Sequence, residues 1–152
     1  MLTIRFEADP PASFRGELGQ AINAFNGLIV PLHVSRFGFR LLDEAERMVG
    51  GLSGVGSWGW VFVDAVWVDA DHRGTGGGRM LMQAAEAHAV AIGCHSVWLD
   101  TFQARGFYER LGYQVFGQLD DYPGPRTRWF LRKRVAPDAN PIETRSPTPH
   151  DA

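Results

Sequence analysis

Val66-Trp67-Val68-Asp69-Ala70-Asp71-His72-Arg73-Gly74-Thr75-Gly76-Gly77-Gly78-Arg79-Met80-Leu81 is a run of β-formers that ends in a glycine turn and opens straight into a helical pattern. A strand, a glycine turn and a helix in that order leave a row of free backbone N–H groups at the helix start, where about half a positive charge gathers. Such a place suits a phosphate or pyrophosphate, and glycines let the anion come close because no Cβ stands in the way.

Spacing narrows the ligand. A P-loop needs a Gly-Lys-Ser/Thr after its first glycine and four residues, and no Gly-Lys pair occurs in this chain. The dinucleotide fingerprint needs a third Gly or Ala, but counting from Gly74 that position is Arg79, and from Gly76 it is Leu81. What remains is Arg73-x-x-Gly76-x-Gly78. With its flanks this resembles the pyrophosphate loop, Arg/Gln-x-x-Gly-x-Gly/Ala, of the GNAT superfamily of acyl-CoA-dependent N-acetyltransferases. Downstream, a strand-like Ser96-Val97-Trp98-Leu99-Asp100-Thr101 precedes Ala104-Arg105-Gly106-Phe107-Tyr108-Glu109-Arg110-Leu111-Gly112-Tyr113. That segment is similar to the family's second signature, Ala-x-x-x-Tyr-x-x-x-Gly-Phe/Tyr. The resemblance spans about residues 47–135.

The resemblance implies an α/β fold: a mixed, mostly antiparallel central sheet flanked by helices on both sides, with a V-shaped split between central strands. It implies an acetyl-CoA cosubstrate and transfer of its acetyl group to a primary amine, on a small molecule or a protein, by direct attack. Arg73, Gly74, Thr75, Gly76, Gly77, Gly78 and Arg79 would grip the pyrophosphate. Val66, Trp67 and Val68 would pair with the pantetheine arm and polarise the acyl carbonyl, a single donor there being worth about 3 kcal/mol. Thr101 stands where many relatives have an asparagine on the pantetheine arm, with Gln103 as its alternative.

Tyr108 stands at the family's tyrosine, as general acid or as the hydroxyl that holds the leaving sulfur. A tyrosine of pKa about 10 protonates a thiolate of pKa about 8.5 at a cost of about 2 kcal/mol. The amine must also lose a proton. Asp64 is the candidate base, because burial inside an apolar central strand would ready it to take one; His33 and a water chain are the alternatives. The family commonly forms homodimers.

Composition bounds the rest. The chain has 152 residues and a formal net charge of −2, enough for one domain with a core, and without the basic excess that nucleic acid attracts. No apolar run is long enough for a membrane span, and the start Met1-Leu2-Thr3-Ile4-Arg5-Phe6 lacks a signal peptide's features. The expected setting is cytoplasmic. Cys94 is the single cysteine, so no intrachain disulfide forms, and it reads as a small buried residue. His33, His72, His88, His95 and His150 lack metal spacing, so no metal is expected.

Periodicity places the elements. Residues 1–8 alternate as a first strand, and Ser13 suits the N-cap of a helix to Asn26 with Phe14, Leu18, Ala21, Ile22 and Phe25 as its stripe. Gly27 would end it, and residues 28–34 look too short for a second helix. A hairpin follows over 37–42 and 47–56. Residues 58–68 read as a buried strand apolar on both faces, and 74–92 as the main helix, with His88 on its packed stripe. A strand to Asp100, a short helix ending at Gly112, and strands over 113–119 and 127–134 complete the acetyltransferase domain, 1–135. The tail 136–152 is Pro- and Thr-rich and should be disordered. Asp43, Glu44, Asp120 and Asp121 fall in turns, either solvated or drawing a cationic acceptor. Two other functions compete: a non-catalytic acyl-CoA-binding regulatory module, and a different nucleotide-binding class.

Overall fold

A computed structural model describes residues 1–137, in two units, Met1–Val34 and from Ser35 onward. The first unit holds one helix, α1 (Ala12–Gly27). Its N-cap is Pro11, with ψ 152° and no side-chain cap. Ser13 is therefore inside the helix rather than capping it: Pro10-Pro11 holds the chain extended up to Ala12, and the helix starts at once. Residues 1–8 form no strand. Alternation alone does not make one without a hydrogen-bonding ladder, and Leu2, Ile4 and Phe6 stand exposed. The α1 stripe also has no buried residue. Residues 28–34 carry no second helix, as their length suggests.

The second unit is a six-stranded sheet in the order β1-β2-β3-β4-β6-β5. The strands are β1 (Ser35–Leu42), β2 (Met48–Ser57), β3 (Trp60–Val68), β4 (Ser96–Thr101), β5 (Gln114–Leu119) and β6 (Arg128–Arg134). All neighbours are antiparallel except β3 and β4. The β1–β2 turn is held by Asp43, whose Oδ1 accepts the amides of Ala45 and Arg47, each at 2.9 Å. Trp58 (φ 47°) and Gly59 (φ 82°) join β2 to β3. Two left-handed residues in a two-residue loop match the twist of the strands they connect.

Helix α2 (Gly77–Ala91) packs on one face through Leu81, Met82, Ala85 and Ala89, all 3% exposed or less. The glycines of β2 make this possible. A Cβ on Gly54 would lie 2.8 Å from Phe37 Cζ, and one on Gly56 2.6 Å from Ile92 Cδ1. Helix α3 (Arg105–Arg110) joins the same core through Tyr108. Burying Val61, Val97, Leu99 and Leu131 between sheet and helices supplies roughly 1.5–3 kcal/mol per side chain. Lys133 Nζ ties β6 to α2 through Glu86 Oε2 at 2.9 Å.

β3 departs from its expected form. It is not buried on both faces: Asp64, Ala65 and Trp67 are exposed. Ser53 pairs with Ala65 and Gly54 with Val63, so Asp64 is an extra residue on β3. This is a β-bulge, which shifts the alternation and re-aims the side chain. Asp64 thus lies on the sheet face away from α2.

Candidate active site

β3 and β4 pair over only three registers, Trp60↔Ser96, Val61↔Val97 and Phe62↔Trp98. Beyond them β3 keeps β2 and β4 keeps β6, but the two strands no longer bond each other. Parallel strands parting in mid-sheet make the expected split, and the β3 edge from Val63 to Val68 is open along it. Val66 and Val68 pack on the core, whereas the Trp67 indole is 48% exposed on the other face.

The chain leaves this edge through one turn of 3-10 helix (Ala70–His72) and enters α2 at Gly77. Gly74 (φ 76°) and Gly76 (φ 90°) are left-handed, with nothing within 4 Å of where a Cβ would stand. They fold the loop and leave open space above it. Gly77 serves packing instead, since a Cβ there would lie 2.5 Å from Leu41 Cδ2. The first-turn amides of α2 lack intrahelical acceptors, so the loop offers the anion seat that its sequence suggests. Arg79 is exposed at its edge, while Arg73 turns back and donates from Nε to the Val68 carbonyl at 3.1 Å. Thr75 Oγ1 donates to the His72 carbonyl at 2.6 Å. An open strand edge leading to a glycine-lined helix start fits an extended donor with a pyrophosphate at one end.

Tyr108 is 7% exposed, against Phe107 and Tyr113. Burial, and then the Asp100 carboxylate, push its pKa up to about 12. Proton transfer to a thiolate would then cost about 5 kcal/mol rather than 2. That shift favours Tyr108 as a hydrogen-bond donor over Tyr108 as a proton donor. Asp100 is itself bonded to Arg128, whose guanidinium lies 4.2 Å from the Tyr122 ring centroid. Thr101 Oγ1 accepts the amides of Gln103 (3.3 Å) and Ala104 (3.1 Å), fixing the turn into α3. Its own proton is not committed by those bonds.

The burial argument for Asp64 does not hold, since the bulge exposes it. What orients it is Ser53, whose Oγ donates to Asp64 Oδ1 across the ladder. Ser53 escaped the sequence reading. The signal was the small-residue alternation of β2, Gly50-Gly51-Leu52-Ser53-Gly54-Val55-Gly56, which marks close approach on both faces. Ser53 also lines a cavity of about 540 Å³ on that face, with Gly38, Arg40, Gly51, Ala65 and Trp67.

Other candidates have local roles. His88 packs against Phe37, ring centroids 4.5 Å apart, as its place on the stripe suggests. His33 is exposed in the first unit. Asp43 is bound to Arg47, whose amide and guanidinium hold its carboxyl below the usual range, and Asp120 accepts from Gln118 and Thr127. Cys94 is 6% exposed and burial raises its thiol pKa, which disfavours a thiolate nucleophile. Among the described residues no group of three or more His, Cys, Asp or Glu is placed to hold a metal, and no helix is long and apolar enough to cross a membrane.

Comparison with known proteins agrees with this architecture. The family model "Acetyltransferase (GNAT) family" matches residues 8–113. The chain is 42% identical over 95 residues to a blasticidin-S acetyltransferase of Streptomyces morookaense, covering 60% of this chain and 70% of that one. It is 28% identical over 125 residues to acetyltransferase Atu2258 of Agrobacterium fabrum, covering 76% and 91%. A crystal structure of an acetyltransferase from Bacillus cereus superimposes with a TM-score of 0.77 at 24% identity, over 86% of this chain and 98% of that one. A split sheet, a glycine loop at the start of α2 and a family match over most of the described chain lead to one conclusion: this protein belongs to the GNAT family of acetyltransferases.

Proposed function

We propose that this acetyltransferase moves the acetyl group of acetyl-CoA to a primary amine by direct attack, with residues 1–135 as its catalytic domain. The observation that carries the reading is the parting of β3 from β4 after Phe62 and Trp98, which opens a strand edge that ends at the α2 loop. The amides and glycines of residues 74–78, with Arg79, would seat the pyrophosphate, and Arg73 would brace the loop through Val68. Val66, Trp67 and Val68 offer the edge for the pantetheine arm. An amide there would polarise the acyl oxygen, and Thr101 lies across the split on β4.

Bound acetyl-CoA brings an activated thioester with a good leaving group. Asp64, held by Ser53, would take the proton from the incoming ammonium. The nitrogen then bonds to the acyl carbon while the carbon–sulfur bond breaks, and the second proton leaves the nitrogen for the departing thiolate or for water. Tyr108 would hold the departing sulfur by hydrogen bonding, keeping its own proton, because a thiolate of pKa about 8.5 is tolerable without it.

Calorimetric titration with acetyl-CoA, CoA and NAD tests the donor. Micromolar acetyl-CoA binding without an NAD signal is expected, followed by CoA release when amines are added. A preference for NAD, or no acetyl-CoA binding, would overturn it. Acetyl-CoA binding without turnover of any amine would leave a binding module.

A further inference from the structure

Around Gly38, Gly51, Ser53 and Ala65 the face of the sheet away from α2 carries only small side chains, where strands usually carry bulk. Two rows cross it. One runs Gly38–Ser53–Ala65, with Asp64 beside it in the bulge, and the next runs Arg40–Gly51–Trp67. Because Gly51 has no side chain, Arg40 and Trp67 face each other over a gap of two strand spacings, about 10 Å. The cavity of about 540 Å³ lies in this gap and is large enough for a small molecule of several functional groups.

Arg40 and Ser53 line this hollow, and the Asp64 carboxylate stands beside it on Ser53, so opposite charges flank it. Asp64 is anchored through Ser53. Arg40 is exposed, and its side chain makes no ion pair or hydrogen bond among the described residues. Arg40 stands diagonal to Ser53 on the neighbouring strand, about 7–8 Å apart at Cα, within reach of a long side chain. An acceptor with only positive charge would meet the Asp64 carboxylate but be repelled by Arg40. An acceptor carrying both charges would satisfy both ends.

We propose that the acceptor is a primary amine that also bears an anionic group, its ammonium delivered to Asp64 and its carboxylate or phosphate bound by Arg40, with Trp67 as the opposite wall. This rests on the acetyl-transfer reading above. Arg40 is then a specificity residue of that site, and the enzyme selects against polyamines.

The test compares matched acceptors at fixed acetyl-CoA: α-, β- and ω-amino acids and small peptides against their C-terminal amides, phosphoethanolamine against ethanolamine, and spermidine. The expected result is at least a tenfold preference in kcat/KM for an anionic amine over its neutral partner, the better arm telling carboxylate from phosphate. Arg40→Ala should bring that ratio close to one, Arg40→Lys should keep part of it, and Arg40→Glu should turn it toward spermidine. Equal use of neutral partners, a preference that survives in Arg40→Ala, or turnover of no anionic amine would overturn the proposal. Acetyl-CoA titration of the same samples separates the two readings. With the donor bound and only neutral amines acetylated, this inference alone fails; with no donor bound, acetyl transfer fails as well.

Discussion

Ser53 Oγ donates a hydrogen bond to Asp64 Oδ1 across the β2–β3 ladder, at the point where a bulge gives β3 one residue more than its partner. The bulge aims the carboxylate and the serine fixes its rotamer, so a group on an open sheet face has one position rather than several. If Asp64 is the base, Asp64→Asn should lower kcat by 10²–10⁴-fold, the usual worth of general base catalysis. Ser53→Ala should lower kcat about tenfold with little change in the KM for acetyl-CoA, and Ser53→Thr should restore most of it. In an Asp64→Asn background Ser53→Ala should cost nothing further. Additive losses in that double-mutant cycle would show that Ser53 acts on the strand and not on Asp64.

Gly76 and Gly93 form a natural pair for testing the loop. Both are left-handed (φ 90° and 82°), and neither has an atom within 4 Å of a Cβ site. Alanine at either position should cost about 1 kcal/mol or somewhat more in backbone strain, lowering Tm by a few degrees. Only Gly76→Ala should also weaken acetyl-CoA, by tenfold or more in Kd, because only Gly76 precedes the α2 amides. Equal acetyl-CoA affinity in the two variants would mean that the loop geometry is structural.

Lys133 and Glu86 join the last strand to α2, and both are largely buried, at 28% and 17% side-chain exposure. Lys133→Ala leaves a half-desolvated carboxylate beside the buried Tyr113 ring, a loss of about 1–3 kcal/mol. Lys133→Ala with Glu86→Gln should recover part of it, since the uncompensated charge is then gone. Denaturant melts of the three variants decide this, and a double variant as weak as Lys133→Ala would refute it.

The elements that follow from local rules were legible in the sequence. The Asp43 turn, the glycine loop before α2 and the short helix carrying Tyr108 all rest on motifs a few residues long, and the β3–β4 split came through the family resemblance those motifs carry. What was not legible depends on partners distant in sequence. The first-strand alternation of residues 1–8 has no ladder, and the Ser13 cap was pre-empted by Pro10-Pro11. Asp64 looked buried because its neighbours Val61, Val63, Val66 and Val68 are apolar. Yet the break in spacing from Val63 to Val66, three rather than two, was the mark of the bulge. Arg40 gave no signal, because the register that sets it across Gly51 from Trp67 exists only in the folded sheet.

Tyr108 offers a prediction on stability as well as catalysis. Burial and Asp100 raise its pKa from 10.0 to about 12. Below pH 10 the folded and unfolded chains both keep the proton, so its stabilising share is fully present. Between pH 10 and 12 the unfolded chain has lost the proton and the folded chain has not. Folding then takes up a proton, and stability falls by roughly 1.4 kcal/mol per pH unit. Tyr113, raised further still by burial and Glu86, adds loss in the same direction. Denaturant melts from pH 8 to 12 should give a slope that Tyr108→Phe makes shallower by about that amount. Asp100→Asn should bring the Tyr108 titration back toward 10, because it removes the second cause of the shift. In catalysis Tyr108→Phe should lower kcat by 10–100-fold through loss of one hydrogen bond to the leaving sulfur. No tyrosine limb should appear in the wild-type rate below about pH 11. A basic limb near pH 9 that vanishes in Tyr108→Phe would mean instead that Tyr108 titrates freely and transfers its proton.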